Sequence, residues 1–238
     1  MTHPPILLIV DGRKIEARPG QTILEATAAA GVYIPRLCWM KGLLPFGSCR
    51  VCTVRVNGRP QAACTQPVAP GMVIENDTAE LRELRRDLID MLFVEGNHFC
   101  MVCAKSGNCE LQALAYRFGI TAPRYPFAFP QRVRDASHSA IVLDRDRCVL
   151  CARCVRASRS LDGKAVFGFE GRGPGKCIAV NAAEGLVATD ADAADRAVAA
   201  CPTGALMEKR VGFAVPVGQR LFDRAPIGSE TEPPAAEK

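Results

Sequence analysis

The sequence comprises 238 residues, enough for two domains or several small ones, and its formal net charge is +5. Its basic residues are scattered and aromatic residues make up only 6%, which does not favour a nucleic-acid partner. The apolar run ILLIV near the start is too short for a secretory signal, and no stretch reaches the roughly 18 to 20 apolar residues that cross a bilayer. We therefore expect a cytoplasmic protein without membrane insertion, whose twelve cysteines are reduced thiols available for metal.

Residues 1–77 predict a compact mixed sheet with one helix. The stretch ILLIVDGRKIEAR has an Asp11–Gly12 turn between two extended runs, the signal of a hairpin. Thr22 and Glu25 have capping-box spacing, and the helix that they begin is expected to end at Gly31. The stretches CTVRVNG and MVIEN predict two further strands.

Residues 78–119 predict a small helical domain with two helices, TAELRELRRDLIDMLFVE and CELQALAYRF. The apolar residues of the first helix are expected to form one core-facing stripe: Leu81, Leu84, Leu88, Met91 and Leu92. Residues 120–138 contain three prolines and no clear period, which predicts an irregular connector. Residues 139–210 form a further cysteine-bearing domain, and residues 211–238 a tail whose last part, APIGSETEPPAAEK, is too poor in apolar residues to order by itself.

The strongest chemical signal is the run CVLCARC, with CPTGAL far downstream. A C-x2-C-x2-C run wraps three corners of a [4Fe-4S] cluster, so the fourth thiolate must come from elsewhere, and Cys201–Pro202 supplies it. The alternative is zinc, which prefers two separated pairs of ligands. The predicted [4Fe-4S] ligands are Cys148, Cys151, Cys154 and Cys201.

Two further groups of metal ligands precede this one. The first resembles a plant-type [2Fe-2S] ferredoxin domain, although its first gap is longer than in C-x4-C-x2-C; its ligands are Cys38, Cys49, Cys52 and Cys64. The second, within NHFCMVCAKSGNCELQ, consists of His98, Cys100, Cys103 and Cys109. A structural zinc site is the alternative for each, and for the second group spacing alone does not decide, because three thiolates and an imidazole also suit zinc.

The remaining residues indicate no active site. The glycine-rich EGRGPGKC fits neither nucleotide-binding pattern and predicts a plain turn. There is no Ser-His-Asp set and no pair of C-x-x-C motifs able to hold nickel and iron, so we predict no catalytic residues and no cofactor sites beyond the clusters. Cys177 is expected to be a buried small hydrophobe, His3 and His138 to face solvent, and Trp39 to shield the first group.

The three groups in this order resemble the electron-transfer module shared by the large iron-sulfur subunit of complex I, iron-only hydrogenases, NAD-linked formate dehydrogenases and NAD-reducing nickel-iron hydrogenases. The resemblance spans about residues 5 to 210. It implies an α+β fold: a β-grasp [2Fe-2S] domain, a small helical domain and a bacterial-ferredoxin-like [4Fe-4S] domain. It also implies that His98, Cys100, Cys103 and Cys109 bind a second [4Fe-4S] cluster. One departure is the short gap from His98 to Cys100, since the family usually has a longer one.

The chain ends about thirty residues after CPTGAL, without the large catalytic domains of several relatives. It therefore resembles the stand-alone HoxU-type diaphorase subunit of cytoplasmic NAD-reducing hydrogenases, and EGNHFC and KSGNCELQALAYRFG support this. That resemblance implies a non-catalytic relay with one [2Fe-2S] and two [4Fe-4S] clusters. The implied partners are a flavin- and NAD-binding diaphorase subunit and the small and large [NiFe] hydrogenase subunits, which would hold FMN, NAD and Ni-Fe.

Two alternatives remain open at this point. The chain could instead serve complex I or an NAD-dependent formate dehydrogenase as an iron-sulfur subunit. It could also be a zinc-stapled structural adaptor without redox chemistry.

Overall fold

The N-terminal part of the computed structural model, which describes residues 4–232, is a five-stranded mixed sheet with one helix. Strand order is β2-β1-β5-β3-β4; β1 and β5 are parallel, and the other neighbours are antiparallel. The elements are β1 (Ile6–Val10), β2 (Arg13–Ala17), α1 (Ile23–Ala29), β3 (Thr53–Val56), β4 (Arg59–Ala62) and β5 (Val73–Glu75). Aliphatic side chains of the sheet and of α1 form a continuous core between them.

Local signals in this part are confirmed. Asp11 and Gly12 both have positive φ, as a two-residue hairpin turn requires. Thr22 is the N-cap of α1, and its side chain and that of Glu25 form a reciprocal capping box. Strand β4 was not predicted, because its Pro60 interrupts the strand pattern; β4 lies at the sheet edge, where a missing backbone donor is tolerated.

The middle part consists of α2 (Ala79–Val94) and α3 (Glu110–Arg117), both at the predicted positions. The predicted apolar stripe of α2 is wrong in part. Leu81 is buried, but Leu84 is 37% and Met91 45% exposed. The buried face centres on Arg85, 1% exposed, because its guanidinium finds backbone carbonyl partners in the interior. A charged residue thus lies on the buried side of the helix, one turn after Leu81.

The C-terminal part is built from short elements: β6 (Ile141–Leu143), α4 (Arg153–Ser160), β7 (Phe167–Glu170), β8 (Cys177–Val180), α5 (Arg196–Ala199) and β9 (Leu206–Glu208). Strand β6 pairs with β9 and β7 with β8, each as an antiparallel two-stranded sheet. The stretch EGRGPGKC is the turn between β7 and β8, as predicted. With the mixed sheet of the N-terminal part and few helices, the chain is an α+β protein.

The predicted connector is irregular apart from one bridge between Asp135 and Leu143. The tail carries the short helix α6 (Leu221–Arg224) and folds back onto the body. Ile227 is buried, and Glu230 and Glu232 pair with Arg36 and Arg117. The tail up to residue 232 is therefore held by the rest of the chain rather than by its own apolar content. His3 and residues 233–238 lie outside the described residues.

Across residues 4–232, none of the helices combines the length and the apolar content that crossing a membrane demands.

Candidate metal centres

The predicted ligands form three groups, which we call site 1, site 2 and site 3. Site 1 consists of Cys38, Cys49, Cys52 and Cys64. Site 2 consists of His98, Cys100, Cys103 and Cys109. Site 3 consists of Cys148, Cys151, Cys154 and Cys201. All twelve cysteines are free thiols, as predicted.

In site 1 the sheet itself brings distant cysteines together. Cys52 directly precedes β3 and Cys64 closely follows β4, so the β3–β4 hairpin places them side by side, and the Ala63 amide donates to the Cys52 carbonyl at 3.1 Å. The loop from α1 supplies the other two, and the Cys38 amide donates to Cys49 Sγ at 3.4 Å. The structure therefore gathers all four predicted ligands of site 1.

The pKa values of site 1 report close contact between the four sulfurs. Hydrogen bonds from the Cys49 and Cys64 thiols lower the pKa of Cys38. A hydrogen bond from Cys64 likewise lowers the pKa of Cys52. The pKa values of the donors, Cys49 and Cys64, are raised, because losing the proton would break these hydrogen bonds. Because thiols bind metal as thiolates, a metal bound at site 1 would displace these protons.

Arg85 supports site 1 and was missed by the sequence analysis. Its guanidinium donates to the carbonyls of Val51, Thr53 and Asn76, at 3.3, 2.9 and 2.8 Å, and to the Asn76 side chain at 2.8 Å. Burial lowers the pKa of Arg85 to about 10, so it stays protonated near neutral pH. Because Val51 lies between Cys49 and Cys52, Arg85 holds the loop that carries these two cysteines.

Site 3 lines a small apolar cavity that all four of its thiols face, together with Leu143, Ile178 and Leu206. Two residues between its cysteines, Leu150 and Ala152, have positive φ and thus a left-handed backbone conformation. These two positions bend the CVLCARC segment around the cavity. The Leu150 amide donates to Cys148 Sγ and the Leu206 amide to Cys201 Sγ, each at 3.4 Å. The structure thus joins the remote Cys201 to the cysteine run.

The burial of site 3 bears on its chemistry. Burial raises the pKa of Cys148 and Cys151 to about 12, and that of Cys154 well above the ordinary value. Thiols in such surroundings lose their protons only when a cation compensates the charge, as iron does. Four converging cysteines, two of whose sulfurs accept from backbone amides, are a donor set that fits an iron-sulfur cluster.

Site 2 is assembled at the start of α3, of which Cys109 is the N-cap. Burial raises the pKa of Cys109 to about 12 and also raises that of Cys100, and the neighbouring Cys103 adds to both shifts. Cys103 Sγ also accepts a hydrogen bond from Arg147 at 3.5 Å. The three cysteines are therefore neighbours.

The structure places His98 beside this group: the Cys100 thiol donates to the backbone carbonyl of His98 at 3.9 Å. The His98 Nε2 is buried and has no hydrogen-bond partner among the described residues, and its ring packs edge-on against Phe93 with centroids 5.5 Å apart. Burial, assisted by the Arg147 cation, lowers the pKa of His98 to about 4, which keeps the imidazole neutral. A neutral, unpaired, buried imidazole nitrogen is the form of histidine that binds a metal.

Sites 2 and 3 lie against each other. The Glu110 amide, next to Cys109, donates to the Pro202 carbonyl, next to Cys201, at 2.9 Å. A Cβ on Gly204 would lie 3.0 Å from Cys103 Sγ, so the loop after Cys201 approaches site 2 closely and a larger residue there would crowd this sulfur.

In residues 4–232, no three His, Cys, Asp or Glu side chains are arranged to hold a single metal ion. The thiolates of an iron-sulfur cluster bind separate iron atoms around a shared core, which is a different geometric demand.

Two predictions for residues outside the sites are corrected. Cys177 is half-buried rather than buried, since it begins β8 in a two-stranded sheet and donates to Glu170 Oε1 at 3.1 Å. His138 is half-buried rather than solvent-facing, because its Nδ1 accepts from the amides of Ala140 and Ile141 at 3.1 and 3.2 Å.

Three family models match successive parts of the chain. They are the 2Fe-2S iron-sulfur cluster binding domain over residues 3–79, the NADH-ubiquinone oxidoreductase-G iron-sulfur binding region over residues 85–124, and the 4Fe-4S single cluster domain over residues 141–207. The chain therefore contains [2Fe-2S]- and [4Fe-4S]-binding domains.

Whole-chain comparisons identify closer relatives. The chain is 42% identical over 219 residues to the NAD-reducing hydrogenase HoxS subunit gamma of Cupriavidus necator, covering 92% of this chain and 93% of the relative. It matches the crystal structure of NAD+-reducing [NiFe]-hydrogenase in the H2-reduced state with a TM-score of 0.91 and 45% identity, over 96% of this chain and 99% of that chain. It is also 32% identical to the NADPH-Fe(3+) oxidoreductase subunit alpha of Geobacter sulfurreducens, but covers only 24% of it. The chain belongs to the family of the gamma, or HoxU-type, subunit of NAD-reducing hydrogenase.

Proposed function

We propose that this chain is a non-catalytic electron-transfer subunit of a cytoplasmic hydrogen:NAD+ oxidoreductase. One observation carries the proposal: the chain that matches a hydrogenase subunit over nearly its full length contains three separate thiol-rich sites, two of which lie against each other. When bound, iron-sulfur clusters supply the ability to take up and release single electrons. The chain's own residues hold, bury and space those clusters.

The ligand sets proposed are those of the three sites. Site 1 holds a [2Fe-2S] cluster, and sites 2 and 3 hold a [4Fe-4S] cluster each. His98 completes site 2 as an imidazole ligand, which its bare Nε2 and depressed pKa support. FMN, NAD and the Ni-Fe centre belong to partner subunits, a flavin diaphorase subunit and the small and large hydrogenase subunits.

The domain architecture follows from the same assignment. Residues 1–77 form a β-grasp, plant-type [2Fe-2S] ferredoxin-like domain, residues 78–119 the helical domain of site 2, and residues 139–210 the bacterial-ferredoxin-like domain of site 3. Residues 120–138 connect the last two and residues 211–238 form the tail. The five-stranded mixed sheet with its helix supports the first of these, and the paired short strands around site 3 support the last.

Iron and acid-labile sulfide analysis with low-temperature EPR tests the cluster content of anaerobically purified protein. We expect about ten irons per chain, from one two-iron and two four-iron clusters. Cys154→Ser should remove about four of them, whereas Cys177→Ser, a matched control outside all three sites, should remove none. A colourless protein that contains zinc would support a structural adaptor instead.

His98 needs a test of its own, because its assignment rests on one nitrogen. With 15N-labelled histidine, the EPR signal of site 2 should carry a nitrogen hyperfine coupling that disappears in His98→Ala. If the labelled wild-type protein shows no such coupling while all irons are present, His98 is not a ligand.

The identity of the complex is tested by co-purification. Nickel in the assembly and NAD+ reduction that depends on hydrogen support the hydrogenase assignment. Activity with formate, or association with quinone-linked subunits and no nickel, would support the complex I or formate dehydrogenase alternative.

A further inference from the structure

Helix α4 begins within the cysteine run of site 3 and carries two inward-pointing arginines, Arg153 and Arg156. Arg153, 4% exposed, forms a bidentate ion pair with Glu110 at 2.5 and 2.7 Å, and its Nη2 also donates to the Trp39 carbonyl at 2.8 Å. The positive charge of Arg153 is therefore offset by a carboxylate.

Arg156, one helical turn further on, has different partners. All three of its guanidinium nitrogens donate to backbone carbonyls: Nε to Ala152 at 3.2 Å, Nη1 to Leu44, and Nη2 to Cys38 at 2.6 Å and Cys151 at 3.3 Å. Its guanidinium also lies over the Phe46 ring, 5.6 Å from the centroid. Among the described residues, no carboxylate pairs with it.

These contacts join two metal sites. Cys38 is a ligand of site 1 and Cys151 a ligand of site 3, and both carbonyls accept from the same nitrogen. The Leu44 carbonyl belongs to the loop between Cys38 and Cys49, so the guanidinium also anchors that loop. The planar guanidinium has several N–H donors in fixed directions, so one arginine side chain can bind carbonyls of three segments at once. A lysine ammonium is a compact group at the end of a flexible chain and does not offer this arrangement of donors.

The unpaired charge has a second consequence. Clusters ligated by four thiolates carry net negative charge, and a nearby cation stabilises the form that has one electron more. Because the guanidinium bonds a ligand residue of each site, its field acts on both. Arg156 makes no hydrogen bond to site 2, whose neighbouring cation, Arg147, donates to Cys103 Sγ and is paired with Asp144.

We propose that Arg156 is a positioning residue that fastens the ligand loop of site 1 to that of site 3, and that its uncompensated charge raises the reduction potentials of both centres. This inference rests on the proposed function, since it requires clusters in these two sites. It predicts that the potentials of sites 1 and 3 respond together to one side chain.

The test uses the full chain with its clusters, in the variants Arg156→Gln and Arg156→Lys. Arg159→Gln is the matched control, because Arg159 lies on the same helix and is exposed. EPR-monitored redox titration gives the potential of each cluster. Hydrogen exchange of peptides covering residues 38–49 and 148–156 reports on the junction.

For Arg156→Gln we expect the equilibrium constant for reduction to fall about tenfold at site 1 and at site 3. This corresponds to a reduction potential lower by about 59 mV for a one-electron couple, and the potential of site 2 should change less. Arg156→Lys should keep potentials near those of the wild type, because it keeps the charge. Both variants should exchange faster at the junction, because neither can hold all the carbonyls. Arg159→Gln should match the wild type in both measurements.

Unchanged potentials in Arg156→Gln, or an equal shift in Arg159→Gln, would overturn the inference. If Arg156→Gln fails to assemble its clusters, Arg156→Lys decides: faster exchange at the junction supports the positioning role, and wild-type exchange overturns it. A wild-type protein without iron would instead defeat the proposed function, and iron analysis distinguishes that case.

Discussion

The N-terminal sheet and the C-terminal part around site 3 hold their predicted metal ligands in contrasting ways. In the N-terminal part, five strands and α1 enclose a largely aliphatic core; Cys52 and Cys64 of site 1 belong to this core, and Cys38 and Cys49 lie on the loop between α1 and β3. In the C-terminal part, two separate sheets of only two strands surround a cavity lined by the four thiols themselves. The first core is built mainly from the aliphatic side chains of one five-stranded sheet, whereas the second packs two-stranded sheets around the proposed cluster position.

This difference predicts different responses to cluster loss, the largest effect that we expect. Anaerobic removal of iron by a chelator should leave the amides of β1, β3 and β5 protected from hydrogen exchange. The amides of β6, β9 and α4 should exchange about a hundredfold faster or more, because metal binding and folding are coupled there. Equal loss of protection in both parts would break the comparison.

How much of this was predictable depends on how far apart the interacting residues lie in the sequence. The hairpin at Asp11–Gly12 and the capping box of Thr22 and Glu25 were predicted because each is decided by neighbouring residues. The partners of Arg85 lie on other elements, so nothing local marked it as buried. The packing of the tail against the rest of the chain was likewise not predicted, since it depends on contacts between Ile227 and residues far upstream in the sequence.

The candidate sites follow the same rule. Cysteine spacing indicated the grouping of sites 1 and 3, whereas site 2 was assigned through the family resemblance, because three thiolates and an imidazole also suit zinc. The links between sites were not predicted: the hydrogen bond of Glu110 to Pro202 and those of Arg156 to Cys38 and Cys151 arise only from the packing of separate segments. Whether each grouped residue binds iron stays a prediction.

Arg85 offers a way to sharpen the comparison within the N-terminal part. Arg85→Met removes the donors of three buried carbonyls and should destabilise the sheet by about 3 to 5 kcal/mol, because hydrogen bonds to charged groups are strong and the acceptors are left unpaired. Local opening free energies of β3 and β5 from hydrogen exchange measure this. Arg82→Met is the control on the same helix, since its pair with Asp77 is exposed, and it should leave exchange close to wild type. A comparable loss in both variants would show that burial of Arg85 is not the cause.

Breaking the ion pair between Arg153 on α4 and Glu110 on α3 should destabilise the region around site 3. Arg153→Met leaves the partly exposed Glu110 without its partner and should cost about 2 kcal/mol, less than a fully buried pair would. Exchange should increase in α3 and α4 and not in β1 or β3. Adding Glu110→Gln should recover part of the loss, since it removes the unpaired charge; a double variant that is as unstable as the sum of the single ones would argue against a direct pair.

The smallest effect concerns the cap of α1, which belongs to the part that we expect to be independent of its cluster. Thr22→Ala removes the acceptor for the Glu25 amide and should destabilise α1 by about 1 kcal/mol, whereas Thr22→Ser keeps the hydroxyl and should cost much less. Measured by hydrogen exchange of α1 with and without iron, the difference between the two variants should be the same in both states. A cap whose contribution appears only in the iron-loaded protein would mean that the N-terminal sheet also needs its cluster to fold, and the contrast between the two parts would then be one of degree.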